Sequence, residues 1–380
     1  MAIRFLTAGD SHGENLVGII EGLPSGVLVS VRDIQRDLLR RRKSYGRSSR
    51  QILERDEVHV TSGLWKGRTT GAPLTIVLPN RARVVQGKKG GALGTVPRPG
   101  HADFPGVMKY GLSEIPPVSE RASARSTALR VAIGAVAKMF LRHLGIEAIA
   151  HVTSIGNASA EPSTLAPDQI RRRAGRSPVF CSDAASSKRM IEEIKTAKTE
   201  GNSLGGSVEV IVTGMFPGMG SYVESDRKLD ARLAGAMMSI QSVKAVEIGD
   251  GLDSARALGV DAHDAMSVRR GRIVRPTNHA GGIEGGMTNG ENVVVRLYAK
   301  PIPTAQRRSR TFDLTTLEDT DSPYVRSDVC VIPALSVIAE AVAAWEILHA
   351  AIEKLGGDSI DETASSLDRY LKNVSRRLRR

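Results

Sequence analysis

Gly9-Asp10-Ser11-His12-Gly13 leads into Leu16, Ile19, Ile20, Gly22 and Gly26, and the chain repeats this outline once. Gly201-Asn202-Ser203-Leu204-Gly205 leads into Val208, Ile211, Val212, Gly214 and Gly218 at the same spacing. Thr69-Thr70-Gly71 before Leu74, Ile76 and Leu78 is matched in turn by Thr288-Asn289-Gly290 before Val293, Val295 and Leu297. Each half closes with an Arg-rich turn and a long helical pattern: Arg121 to Leu144, then Arg326-Ser327-Asp328 followed by Pro333 to Leu355. Features recurring in one order predict an internal duplication. The halves fall at about 1–155 and 196–357 of a single domain, 1–357, with a C-terminal helix and basic tail over 358–380.

The first of these turns joins two apolar runs, Ile3 to Leu6 and Leu16 to Ile20, so it reads as a tight link between strands. Between its glycines stand a carboxylate, a hydroxyl and an imidazole, a combination suited to acid–base work near neutrality. Leu204 holds the place of His12 in the second half, so chemistry is expected in the first half alone. A second constrained histidine follows a basic loop over 80–98, in Arg98-Pro99-Gly100-His101-Ala102-Asp103. His279 lies in the glycine-rich stretch Asn278 to Gly286, a loop suited to close ligand approach.

Between these turns the spacing predicts a helix from Val31 to Arg42, strands at Glu57–Ser62 and Leu74–Leu78, and a long helix opened by Ser119-Glu120-Arg121-Ala122-Ser123-Ala124-Arg125. A strand over Ile146–Ile155, a surface helix over Ser187–Lys195 and a helix over Leu229–Val243 follow. Two arginines and two serines at a helix start make a good anion-holding place.

Composition narrows the function. With 53 Lys+Arg against 41 Asp+Glu, the net charge of +12 calls for an acidic partner. Aromatics at 4% are too few for a base-stacking surface, and the arginines recur in Gly-His-Ser turns, which favours an anionic metabolite over nucleic acid. Cys181 and Cys330 are far apart and form no metal-ligand pattern, which suits a reduced, cytoplasmic protein. No basic start with an apolar run marks a signal peptide, and no apolar run approaches the ~20 residues that span a bilayer. Gly249-Asp250-Gly251 after Val246-Glu247-Ile248 imitates a dinucleotide fingerprint, but Ser254 stands at its third glycine. Ser11 and His12 are neighbours whose side chains diverge, which argues against a hydrolase elbow.

Taken together, the motifs resemble the chorismate synthase family, monofunctional bacterial type. The matching stretches are Gly9 to Gly13, Arg40-Arg41-Arg42 with Tyr45-Gly46-Arg47, Arg98 to Asp103, Glu120 to Arg125, Val246 to Gly251, Asn278 to Gly282, Lys300-Pro301 and Arg326-Ser327-Asp328. The resemblance implies an α+β fold, a β-α-β sandwich with pseudo-twofold duplication and antiparallel sheets packed around helices, assembled as a homotetramer. It implies a lyase that converts 5-enolpyruvylshikimate-3-phosphate to chorismate and phosphate by 1,4-elimination. That chemistry uses reduced FMN, with a separate flavin reductase as electron source and NADPH only as an indirect donor. It further implies catalytic roles for His12, with Ser11 beside it, for His101 near flavin N1, and for Asp328 and Ser123 near flavin N5. FMN contacts are implied for Arg121, Ala122, Ser123, Gln241, Ser242, Gly285, Lys300, Pro301, Ile302, Pro303, Thr304 and Arg326. Anion contacts, to substrate or NADP, are implied for Arg41, Arg47, Arg98 and Arg125. Ser126 stands where the family usually has Glu, and Glu114-Ile115-Pro116-Pro117 where it has Asp-Ile-Arg; both bear on the local helix start.

Overall fold

The computed structural model describes residues 3–47, 55–81, 94–161, 163–325 and 327–378. Strands β1 (Arg4–Ala8), β2 (Asn15–Glu21), β3 (His59–Ser62) and β4 (Leu74–Pro79) form an antiparallel sheet in the order β1-β2-β4-β3. Strands β5 (Glu147–Ile155), β6 (Gly206–Thr213), β7 (Val243–Ile248) and β8 (Val293–Ala299) form a second one in the order β5-β6-β8-β7, with a short ladder at Ala158-Ser159 on its edge. The second order is the first over again.

The longer helices among the described residues are α1 (Val31–Lys43), α2 (Asp103–Tyr110), α3 (Pro116–Ala122), α4 (Thr127–His143), α5 (Pro167–Ala174), α6 (Ala184–Thr199), α7 (Leu229–Met238), α8 (Ile332–Leu355) and α9 (Ile360–Arg377). Four of them, α1 and α4 from the first half and α7 and α8 from the second, form the middle layer: α4 packs on β2 and β4, and α8 on β5 and β6. In β4, Leu74, Ile76 and Leu78 are wholly buried while the residues between them are half-buried, the period of a sheet with one face on a core. The inner helices meet closely: a Cβ on Gly134 of α4 would lie 2.4 Å from Ala341 of α8.

The matched threonines do the same work in each half. Thr69 Oγ1 donates to Pro24 O and accepts from Val27 N; Thr288 Oγ1 donates to Phe216 O and accepts from Met219 N. Each pins the turn that leaves the second strand of its sheet.

Several boundaries differ from the sequence reading. The stretch 147–155 was expected to end the first half; it pairs with β6 instead and opens the second sheet. The helix expected to reach Val243 stops at Met238, because Ser242 takes φ 72 and strand β7 begins beside it. The helix expected to open at Ser119 is two elements. Pro116-Pro117 start α3, and Ser123 leaves the helical region at ψ 140 before a 3-10 turn and α4. All strand pairs in both sheets are antiparallel, which removes the dinucleotide-fold reading. One helix among the described residues, α8, is long and apolar enough to cross a bilayer, contrary to the expectation that no run approached this; 89% of that window is buried inside the protein. Its apolar residues are enclosed by α4, β5 and β6, and its buried Glu340 is paired with Arg40 and Lys138. The C-terminal helix is docked, with Ile360 and Leu367 buried and Tyr370 Oη donating to Pro217 O.

Candidate active site

The turn at 9–13 is braced from three directions. Asn80, just past β4, donates through Nδ2 to Asp10 O at 3.0 Å and Gly13 O at 2.9 Å. Ser11 is buried, and its hydroxyl accepts from Ser123 Oγ at 3.1 Å. Glu120 of α3 receives His12 N on Oε2 at 2.7 Å, and its Oε1 lies 2.6 Å from His12 Nδ1. His12 Nε2 is shielded from solvent and has no hydrogen-bond partner among the described residues. The break at Ser123 matters here: its side chain caps the 3-10 turn and reaches Ser11 from the same position.

Three arginines gather beside this turn. Arg41, on the last turn of α1, donates to Thr127 Oγ1 at 3.0 Å and Ala124 O at 3.1 Å, and lies 3.7 Å from Asp56. Arg125 is ion-paired to Asp56 and donates through Nε to Asn80 Oδ1 at 2.9 Å. Arg47 pairs with Asp328 at 2.7 Å. Gly46 takes φ 87, where a side chain would be strained, and its carbonyl accepts from Val329 N at 2.9 Å, which sets Arg47 opposite Asp328. Burial, then the charges of Arg47 and Arg125, push the Arg41 guanidinium below its ordinary value, and Asp56 and Asp328 offset this only in part. Arg41 Nη1 and Arg47 Nε are buried N–H donors with no hydrogen-bond acceptor among the described residues. The cluster is therefore built to receive an anion. A cleft of about 1010 Å³ opens beside it, lined by Lys43, Tyr45, Arg47, Lys198, Thr304 and Asp328 among others.

The second histidine turn has its own carboxylate. Arg98 grips Asp103 at 2.7 and 2.9 Å, and His101 Nδ1 lies 2.6 Å from Asp103 Oδ1. Burial alone would raise the Asp103 carboxyl; the hydrogen bonds from Arg98 and His101 outweigh it and hold the group well below the usual range. Lys300 Nζ donates to Gly100 O at 2.6 Å, while its backbone N–H donates to Ser242 O. Burial, then nearby Lys244, pushes the Lys300 ammonium down. A chain of bonds joins the two turns: Ser11 to Ser123, Ser123 O to Ser126 Oγ, and Ser126 to Gln241 Nε2, next to Ser242 and Lys300. Ser327 Oγ donates to Thr304 O, closing the same side.

The structure thus brings Ser11, His12, Arg41, Arg47, Ser123, Arg125 and Asp328 into one site, with Arg98, His101, Gln241, Ser242, Lys300 and Thr304 around its rim. Arg121 is committed elsewhere, donating to Thr7 O, Thr7 Oγ1 and Gly9 O on the β1 side. Gly285 is not brought in. It lies in the Ile283–Thr288 hairpin at the β8 end that starts with Val293, whereas Lys300 follows the other end, about 23 Å away at ~3.3 Å per residue. Arg326 lies outside the described residues. Four functional side chains had no role in the sequence reading. Glu120 and Asp103 stood inside motifs already singled out; Asn80 and Asp56 carried no signal.

An antiparallel β-α-β sandwich with a buried arginine cluster beside a carboxylate-held histidine has the makings of an anion-binding enzyme site. A family model described as chorismate synthase matches residues 3–352. The chain is 46% identical to a chorismate synthase of Symbiobacterium thermophilum over 99% of this chain and 100% of that one. It is 45% identical to one of Leifsonia xyli subsp. xyli, covering 99% and 97%. A chorismate synthase crystal structure superposes with a TM-score of 0.82 at 34% identity, covering 99% of both chains. The chain belongs to the chorismate synthase family and is a lyase.

Proposed function

We propose that this chain converts 5-enolpyruvylshikimate-3-phosphate to chorismate and phosphate by an FMN-dependent 1,4-elimination, the last step of the shikimate pathway, in the cytoplasm. The observation that supports the reading is the pair of buried donors, Arg41 Nη1 and Arg47 Nε, left without a hydrogen-bond acceptor among the described residues near His12. A substrate bearing a phosphate and two carboxylates supplies what they lack. Arg125, held by Asp56 and Asn80, and Arg98, held by Asp103, add fixed positive charge around it. The rim residues Ser123, Gln241, Ser242 and Lys300 to Thr304 offer hydroxyl, amide and ammonium groups that fit a flavin mononucleotide. Arg121 would contribute by bracing the Gly9 turn. When bound, reduced FMN supplies electron density to the departing phosphate, with no net redox change.

His12, its Nδ1–H held by Glu120, gives a proton to the departing phosphate from Nε2 when its ring is doubly protonated, while Ser11 and Ser123 keep the turn closed beside it. His101 serves the opposite rim, and Asp328 fixes Arg47 against the substrate. A homotetramer belongs to the same reading, and light scattering in solution should return four chains. Reducing equivalents come from a separate flavin reductase, with NADPH as its indirect source, a reading supported by Ser254 at the third glycine of the Gly249-Asp250-Gly251 fingerprint. The test is anaerobic phosphate release from the enolpyruvyl substrate with FMN alone, FMN plus dithionite, and FMN plus NADPH. Full rate is expected with dithionite only; full turnover on oxidised FMN without reductant would overturn the reduced-flavin reading.

A further inference from the structure

The Ser11-His12 turn is clamped by one residue of α3. Glu120 O accepts from Ser11 N at 3.3 Å, Oε2 accepts from His12 N at 2.7 Å, and Oε1 sits 2.6 Å from His12 Nδ1. Backbone and ring of His12 therefore face the same carboxylate. The second half has no such clamp: Leu204, at the place of His12, donates its N–H to the backbone oxygen of Val329, and Ser203, at the place of Ser11, donates its own to Asn202 Oδ1, with neither imidazole nor carboxylate in either contact.

We propose that Glu120 is the positioning residue of His12, fixing its ring and tautomer so that Nε2 is the atom that exchanges a proton with the bound ligand. An ionised carboxylate only accepts hydrogen bonds, so Nδ1 carries its hydrogen toward Glu120. Nε2 then points away, shielded and with no hydrogen-bond partner among the described residues, open to exchange a proton with a bound ligand. The side chain of Glu120 is partly shielded, so solvent competes weakly for the contact. This deepens the reading above, since it assumes that His12 does proton work at that site.

Two measurements test it. In protein labelled with 15N histidine, free of substrate and flavin, neutral His12 should carry hydrogen on Nδ1; hydrogen on Nε2 alone overturns the proposal, and the result needs neither a variant nor activity. In the anaerobic assay, Glu120→Gln should lower kcat about 10- to 100-fold with KM changed less than about threefold. In a His12→Ala background the same change should cost nothing more. An equal loss in that background, or a loss confined to KM, overturns the proposal. Failure of the wild-type enzyme to release phosphate would count against the proposed function and leave the tautomer result standing.

Discussion

Asp103 has no exposed surface, and the charges that hold it make acid a probe of the His101 turn. Its carboxyl titrates lower in the folded protein than in the unfolded chain, where about 3.9 is ordinary. The stabilisation is therefore complete above that value and is lost as pH falls through it toward the folded value. Asp103→Asn should cost about 3–5 kcal/mol near pH 7, as expected when a buried ion pair loses one partner. Urea midpoints for wild type and variant should converge on going from pH 7 to about pH 3; a gap that stays constant would show that the charge is not its source. Residues of this kind were half legible. Asp103 and Glu120 stand inside recognisable motifs, but the contact from Glu120 to His12 crosses most of the first half, and no local pattern records it. Asp56 was invisible for another reason: it adopts φ 49 in an irregular stretch, and only the fold puts its carboxylate between Arg41 and Arg125.

Among the elements, the crossing of α4 and α8 makes a sharp prediction. Replacing a helical glycine by alanine ordinarily stabilises by about 1 kcal/mol. At Gly134 the new methyl would lie 2.4 Å from both the side chain and the carbonyl of Ala341. Backbone cannot yield as a flexible side chain can, so Gly134→Ala should destabilise by about 1–3 kcal/mol. A raised melting temperature would mean that the helices have room to part. Helix positions such as these were legible from periodicity, as Ala128, Val131, Ala132 and Ala135 show by their full burial. The interruption at Ser123 was not, because Ser119 and Ser123 offer similar capping chemistry and only the demand of Ser11 for a partner selects the second.

Across the whole molecule the repeat was readable where turn chemistry repeats, at Thr69 and Thr288, and misplaced where it does not. The turn matching the one after β1, Gly201 to Gly205, is separated from β5 by α5 and α6, so the membership of β5 in the second sheet rests on pairing alone. The two sheets also differ in how far along the chain each must reach. Ala8 finds Val17 across a single turn, whereas Ile149 must wait for Ile211, and Val212 for Val293. Distant closures are slower than local ones. During synthesis the β1-β2 hairpin can therefore zip while later strands are still unmade, and α4 stays half-wrapped until α8 leaves the ribosome. Pulse-labelled amide exchange during refolding should protect β1 and β2 before β6 and β8; simultaneous protection would contradict this order. A chain stalled before residue 332 would offer the apolar face of α4 to chaperones, and it is there that a nascent copy is most exposed to aggregation.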